Sequence, residues 1–216
     1  MIDTSASRQA ILSRIRGPHA RTTPELAAEE YAGIPRGYDR IGSLNPEQRI
    51  DLLEERLLEY DAGVHRVAET NLPAVIVASI RERGAKRIAL PAGIPAAWLP
   101  SAVSFTEADP LSNLHLNEFD GILTGCTVAI ALTGTIVLQN VPGQGPRKLS
   151  LVPDYHLCIV FTEQIVETVS EAFDRLASTS ALPTTFISGP SATADIEMTR
   201  IKGVHGPRHF DVLIVC

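Results

Sequence analysis

The sequence predicts an α/β fold: three layers, αβα, built on one largely parallel, twisted sheet. Three observations carry this. From residue 46 onward, apolar β-branched stretches alternate with stretches of helical periodicity, the pattern of strands joined by helices. The 216 residues suffice for one sizeable core with an N-terminal extension. The composition, 44% hydrophobic and 20% charged, is that of a globular chain, and no internal repeat divides it.

Residues 6–16 (ASRQAILSRIR) set Ile11, Leu12 and Ile15 at helical spacing, which predicts a short amphipathic helix. Residues 17–46 are rich in Pro, Gly and Thr and read as a long loop or arm. A loop of that length is mobile, docked on a partner, or part of a site. The chain therefore reads as an N-terminal helix and extended arm over residues 1–45, ahead of an α/β domain over 46–216. Asn45 can cap a helix that Pro46 opens, and Ile50, Leu53, Leu57 and Tyr60 follow on one face. Residues 64–68 alternate like a strand, and 72–85 read as a helix ending at Gly84. A short strand at 87–93, a helical turn at 95–99, an edge strand at 104–108, a helix at 114–120 and a strand at 121–126 come next. Residues 135–139 and 156–161 are strands flanking a Gly/Pro loop at 141–146, and 133–161 reads as a hairpin inserted in the sheet, which would make it mixed. Val166, Val169, Phe173 and Leu176 predict a helix over 163–177, with strands at 184–188 and 210–215 beyond it.

A net charge of −6 without a Lys/Arg block argues against a nucleic-acid partner. No apolar run reaches the length of a membrane span. The N-terminus carries Arg8, Arg14 and Arg16, but no continuous apolar segment follows, so no secretory signal is read and a cytoplasmic location is expected. Cys126, Cys158 and Cys216 are an odd, scattered set, which argues against a disulfide framework and against an iron–sulfur cluster held by this chain alone. Cys158 reads as a buried small hydrophobe; Cys126 is either structural or near a site. The dinucleotide-binding, phosphate-loop and nucleophile-elbow glycine motifs are missing, and no residue set has metal-ligand spacing.

In open α/β sheets, ligands bind at the carboxyl ends of strands. Three segments place small, polar residues where strands end: 124–135 (TGCTVAIALTGT), 140–148 (NVPGQGPRK) and 188–195 (SGPSATAD), and they are expected to share one site. The stretch ISGPSATADIE (187–197) reads as strand, tight turn and helix start. Ser191 or Thr193 would cap that helix and Asp195 would enter its first turn. The free N–H groups there either only cap the helix or hold a carboxylate or phosphate. Asp195 would repel such an anion unless it points away or pairs with Arg147, Lys148, Arg200 or Lys202. His205, flanked by glycines in GVHGP (203–207), is either an acid–base or ligand residue or a loop anchor. His156, opening a strand, reads as structural. The candidate ligand-binding residues are Thr133, Gly134, Thr135, Arg147, Ser188, Gly189, Ser191 and Thr193, with His205 and Asp195 as the candidate catalytic pair.

Four segments also fall in a recognisable order: AIALTGTIV (129–137), SLVPDYH (150–156), ISGPSATADIE and GVHGP. Together with RQAILSRIR (8–16) they resemble the LUD-domain family, in its lactate-utilisation protein C type. The resemblance covers the C-terminal half well and 17–120 loosely. It implies a fold similar to the isomerase/CoA-transferase (NagB/RpiA-like) and formyltetrahydrofolate cyclo-ligase folds. It also implies an accessory or ligand-binding subunit of an iron–sulfur complex that oxidises L-lactate to pyruvate. The clusters are then expected on partner subunits, with no cofactor bound by this chain and a small anionic ligand in its site. Family members commonly read A-E-T-G-T where this chain has Leu132 in place of the carboxylate, which puts an independent activity in doubt. Two other readings stay open: a free-standing isomerase-, CoA-transferase- or ligase-like enzyme on a phosphorylated or carboxylated molecule, and a scaffold that docks a partner through the N-terminal arm.

Overall fold

The structure is a computed structural model that describes residues 5–19, 23–193, 201–203 and 205–216. It divides into two compact units, Met1–Tyr38 and Asp39–Cys216. In the first, α1 (Ser5–His19) leaves Ile11 and Ile15 exposed. A second helix, α2 (Pro24–Ala32), stands where the Pro/Gly-rich composition predicts a loop. Local chemistry explains it. Thr23 accepts a hydrogen bond from the Leu26 N–H, Pro24 opens the first turn, and Glu25 meets the positive end of the dipole. Arg36 then closes over the Tyr31 ring, 4.7 Å from its centroid.

The second unit begins with α3 (Pro46–Glu59), whose Asn45 and Gln48 form a reciprocal capping box around Pro46. Next come β1 (Gly63–Val67), α4 (Leu72–Glu82), β2 (Arg87–Leu90), β3 (Ser104–Glu107), α5 (Asn113–Leu116) and β4 (Gly121–Thr124). The chain continues through β5 (Val128–Ile130), β6 (Thr135–Gln139), β7 (Tyr155–Phe161), β8 (Ile165–Val166) and α6 (Val169–Leu176). It closes with β9 (Thr184–Ile187), β10 (Ala192–Thr193), β11 (Ile201–Lys202) and β12 (His209–Val215).

Six strands form the main sheet in the order β1-β12-β7-β4-β2-β3, and every neighbouring pair is parallel. Its inner strands β4, β7 and β12 are largely apolar on both faces because both are covered, whereas the edge strands β1 and β3 are partly exposed. Leu157, Ile159, Leu213 and Val215 pack against Leu72, Ile76 and Ile80 of α4. The alternate residues Cys158, Val160, Val212 and Ile214 pack against Ile50, Leu53 and Leu57 of α3. At the far end of α4, Arg83 grips the buried Asp211 of β12 with two hydrogen bonds, 2.5 and 3.0 Å, and so ties helix to sheet.

A second sheet, β8-β5-β6-β9, lies on the α3 side. Its inner residues Ala129, Ile136 and Leu138 join the core of the main sheet, while Val128, Ile130, Val137 and Val166 pack against Ala172 and Leu176 of α6. This corrects the predicted hairpin. Residues 135–139 pair antiparallel with β5 and β9, whereas 155–161 run between β12 and β4 in the other sheet. The 141–146 loop crosses between the sheets instead, with the Gly143 N–H donating to Ala92 O and the Gly125 N–H donating to Gly143 O. The predicted 163–177 helix also divides. Ile165 and Val166 pair with β5, and Thr168 with Glu171 caps a helix that starts only at Val169. The predicted helix after Ser191 is replaced, over 192–193, by an antiparallel ribbon with 201–202. Asp195 lies outside the described residues. Among the described residues, no helix is long and apolar enough to cross a membrane.

Candidate functional site

The carboxyl end of β9 meets the amino ends of β7 and β12 at a cavity of about 260 Å³. Gly189 sets its first wall. The chain turns there with φ +77°, and an added Cβ would stand 2.5 Å from Tyr60 Cβ and 2.9 Å from the Tyr60 carbonyl oxygen. Only glycine lets the turn lie so close to the end of α3 in that conformation. His205, Gly206 and Pro207 form the second wall, and this stretch is stitched to the first. The Ser191 N–H donates to Pro207 O at 2.8 Å, the Gly203 N–H to Ser191 O at 2.8 Å, and the His205 N–H to Ser191 Oγ at 3.1 Å. The His205 side chain is exposed at the mouth.

Arg147 enters from the 141–146 loop. Its Nη1 donates to the buried Ser150 Oγ at 3.1 Å, and no carboxylate pairs with it among the described residues. Partial burial lowers its pKa from the ordinary arginine value, and the guanidinium stays protonated. His156 lies at the floor, buried, with its Nε2 2.8 Å from Thr124 Oγ1 and the Phe210 ring 5.1 Å away. Burial first, and the Arg147 charge second, push its pKa down to about 3, so the ring is neutral. A cation, three serine side chains and a neutral imidazole thus line one small space beside Ile187 and Phe210. That set suits a small anion with hydrogen-bonding oxygens.

Arg147, Ser188, Gly189, Ser191 and His205 therefore come together as cavity lining. Thr133 and Thr135 stand behind them. Their hydroxyls are 2.7 Å apart, and Thr135 Oγ1 is 2.8 Å from Ser188 Oγ, so the pair braces Ser188. Gly134 lets that segment press on the backbone of Arg56. Thr193 has its backbone in β10. The three glycine-rich segments do not converge on one site. Gly125, Cys126, Gly143 and Gln144 line a second cavity of about 220 Å³ at the carboxyl ends of β4 and β7, with Trp98. Cys126 there is buried, and its neighbour Cys158, together with burial, raises its thiol pKa well above the ordinary value. Such a thiol is a poor nucleophile. Leu132 is exposed and lines neither cavity.

Ser150 and His156 were not legible as lining. The signal for His156 is a histidine at the start of an otherwise apolar strand, but its partner Thr124 sits on β4, and only the strand pairing joins them. Among the described residues, no group of three His, Cys, Asp or Glu is placed to hold a metal ion.

A parallel six-stranded sheet carrying a smaller mixed sheet on one face, with a polar cavity at their open edge, defines the class as an α/β domain of two stacked sheets. The chain belongs to the LUD-domain family, whose model, "LUD domain", matches residues 50–215. A lactate utilization protein C from Deinococcus radiodurans is 43% identical over 176 residues, 79% of this chain and 82% of that protein. A protein of the same name from Oceanobacillus iheyensis is 24% identical over 214 residues, 90% of this chain and 91% of its own. The crystal structure of a DUF162 family protein from Deinococcus radiodurans matches with a TM-score of 0.70 at 36% identity, covering 81% of this chain and 100% of that one.

Proposed function

We propose that this chain is a ligand-binding subunit of an iron–sulfur complex that oxidises L-lactate to pyruvate, and that the 260 Å³ cavity holds the small carboxylate. The observation that carries the reading is Arg147. It is a cation facing a small polar space with no protein carboxylate to neutralise it among the described residues. An incoming carboxylate supplies the missing charge through charge-assisted hydrogen bonds. Ser188 and Ser191 offer hydroxyls beside it, and His205 at the mouth is placed for proton exchange with the ligand or solvent. Relatives named lactate utilization protein C support lactate as the substrate. The electrons go to clusters on partner subunits, since three scattered cysteines do not supply the four thiolates a cluster takes.

The purified chain is expected to bind L-lactate and pyruvate but not to turn over lactate with a dye acceptor. In Arg147→Met, binding of both acids should fall at least ~10-fold, the scale of a charged hydrogen bond, with no loss of thermal stability. Turnover by the isolated chain contradicts the subunit role. Unchanged binding by the variant contradicts the site.

A further inference from the structure

We propose that His156 is a second recognition point in this cavity, a neutral imidazole that hydrogen-bonds an oxygen adjacent to the carboxylate and so selects 2-hydroxy and 2-oxo acids over plain carboxylic acids. The inference rests on the reading of the cavity as a carboxylate site at Arg147.

The geometry is that of a built site. The His156 ring is only 1% exposed, yet it lines the cavity. Its Nε2 is taken by Thr124 Oγ1 at 2.8 Å, and its Nδ1 has no protein partner among the described residues. The ring lines the cavity, so a ligand there can reach the nitrogen that Thr124 does not take, and polar groups in such places are normally satisfied by a ligand or water. The ligand is the partner that the cavity admits. The Phe210 ring, 5.1 Å away, packs beside the imidazole, and the Thr124 contact fixes its orientation. The arrangement also keeps the ring uncharged, because burial and the nearby Arg147 guanidinium both disfavour the imidazolium. A neutral imidazole has one donor and one acceptor nitrogen. When Thr124 donates to Nε2, the Nδ1–H can donate to a ketone or hydroxyl oxygen. When Nε2–H donates to Thr124, Nδ1 accepts from a hydroxyl. A plain acid such as propionate offers neither and leaves Nδ1 unmet. Arg147 reads charge, and His156 reads the neighbouring oxygen.

The test is calorimetric titration of the full chain with L-lactate, pyruvate and propionate, in the wild type and in Arg147→Met, His156→Phe and Thr124→Val. The wild type should bind L-lactate or pyruvate about tenfold more tightly than propionate, the scale of one buried hydrogen bond left unmade. Both His156→Phe and Thr124→Val should bring that preference within about twofold while propionate still binds. Thr124→Val keeps the volume and removes only the orienting hydroxyl, so it carries the test where His156→Phe does not fold. Equal affinity for propionate and lactate in the wild type overturns the role of His156, as does a preference that survives in Thr124→Val. If the acids bind, Arg147→Met loses all of them and no preference exists, the carboxylate site stands and His156 falls. If no acid binds the wild type, both fall.

Discussion

At the residue scale, three side chains show how environment assigns a role. Arg147 has charge and no counter-charge among the described residues, so it is available to an anion. His205 is exposed at the cavity mouth, whereas His156 is sealed and neutral. The sealed ring has a consequence for stability. Folded His156 stays unprotonated down to about pH 3, but the unfolded chain takes up a proton below the ordinary value of 6.5. The unfolded state therefore binds the extra proton between these limits, and stability is lost as pH falls through that window, by up to about 1.4 kcal/mol per pH unit. Urea unfolding between about pH 7 and pH 5, above most carboxylate titrations, should show this slope in the wild type and a flatter one in His156→Gln. Parallel slopes would show that the ring is not held neutral. Arg147 and His205 were legible in the sequence because each follows or sits among Gly and Pro, where a polar residue stands out. His156 was not, since its role depends on a threonine of the neighbouring strand, 32 residues away.

At the element scale, close approaches of backbone position the site. Between β5 and β6 the chain reverses at Gly134 with φ +58°, and a Cβ there would lie 2.9 Å from the Arg56 backbone carbon. Gly134→Ala should lower stability by about 2 kcal/mol or more, from left-handed strain plus displacement of α3, read as a lower urea midpoint. It should also weaken carboxylate binding, because Thr135 braces Ser188. An unchanged midpoint would mean that α3 yields freely at this contact. Caps were readable, as with Asn45 ahead of Pro46, because their chemistry is local. Strand partners were less so. Residues 135–139 are buried throughout and 155–161 nearly so, and a strand covered on both faces has no alternation to indicate which sheet it joins. The two-residue β8 is too short to interrupt the helical spacing that runs through Val166 and Val169.

At the scale of the whole molecule, the alternation of strand and helix signals made the α/β class and the parallel main sheet legible, while the second sheet stayed hidden inside them. That second sheet matters for function. It brings the end of β9 over the amino ends of β7 and β12, which moves the candidate site away from the carboxyl edge where a plain parallel sheet would place it. Residues 188–192 and 205–207 meet Arg147 at this cavity because of this stacking. The central claim is that the chain serves a lactate-oxidising iron–sulfur complex as its ligand-binding subunit. The most direct measurement is affinity purification of the tagged chain from its source organism grown on L-lactate. Visible absorbance would be recorded before and after lactate is added, and the co-purified chains identified by mass spectrometry. The account predicts cysteine-rich iron–sulfur chains whose colour bleaches with lactate. A chain that purifies alone and colourless would contradict it.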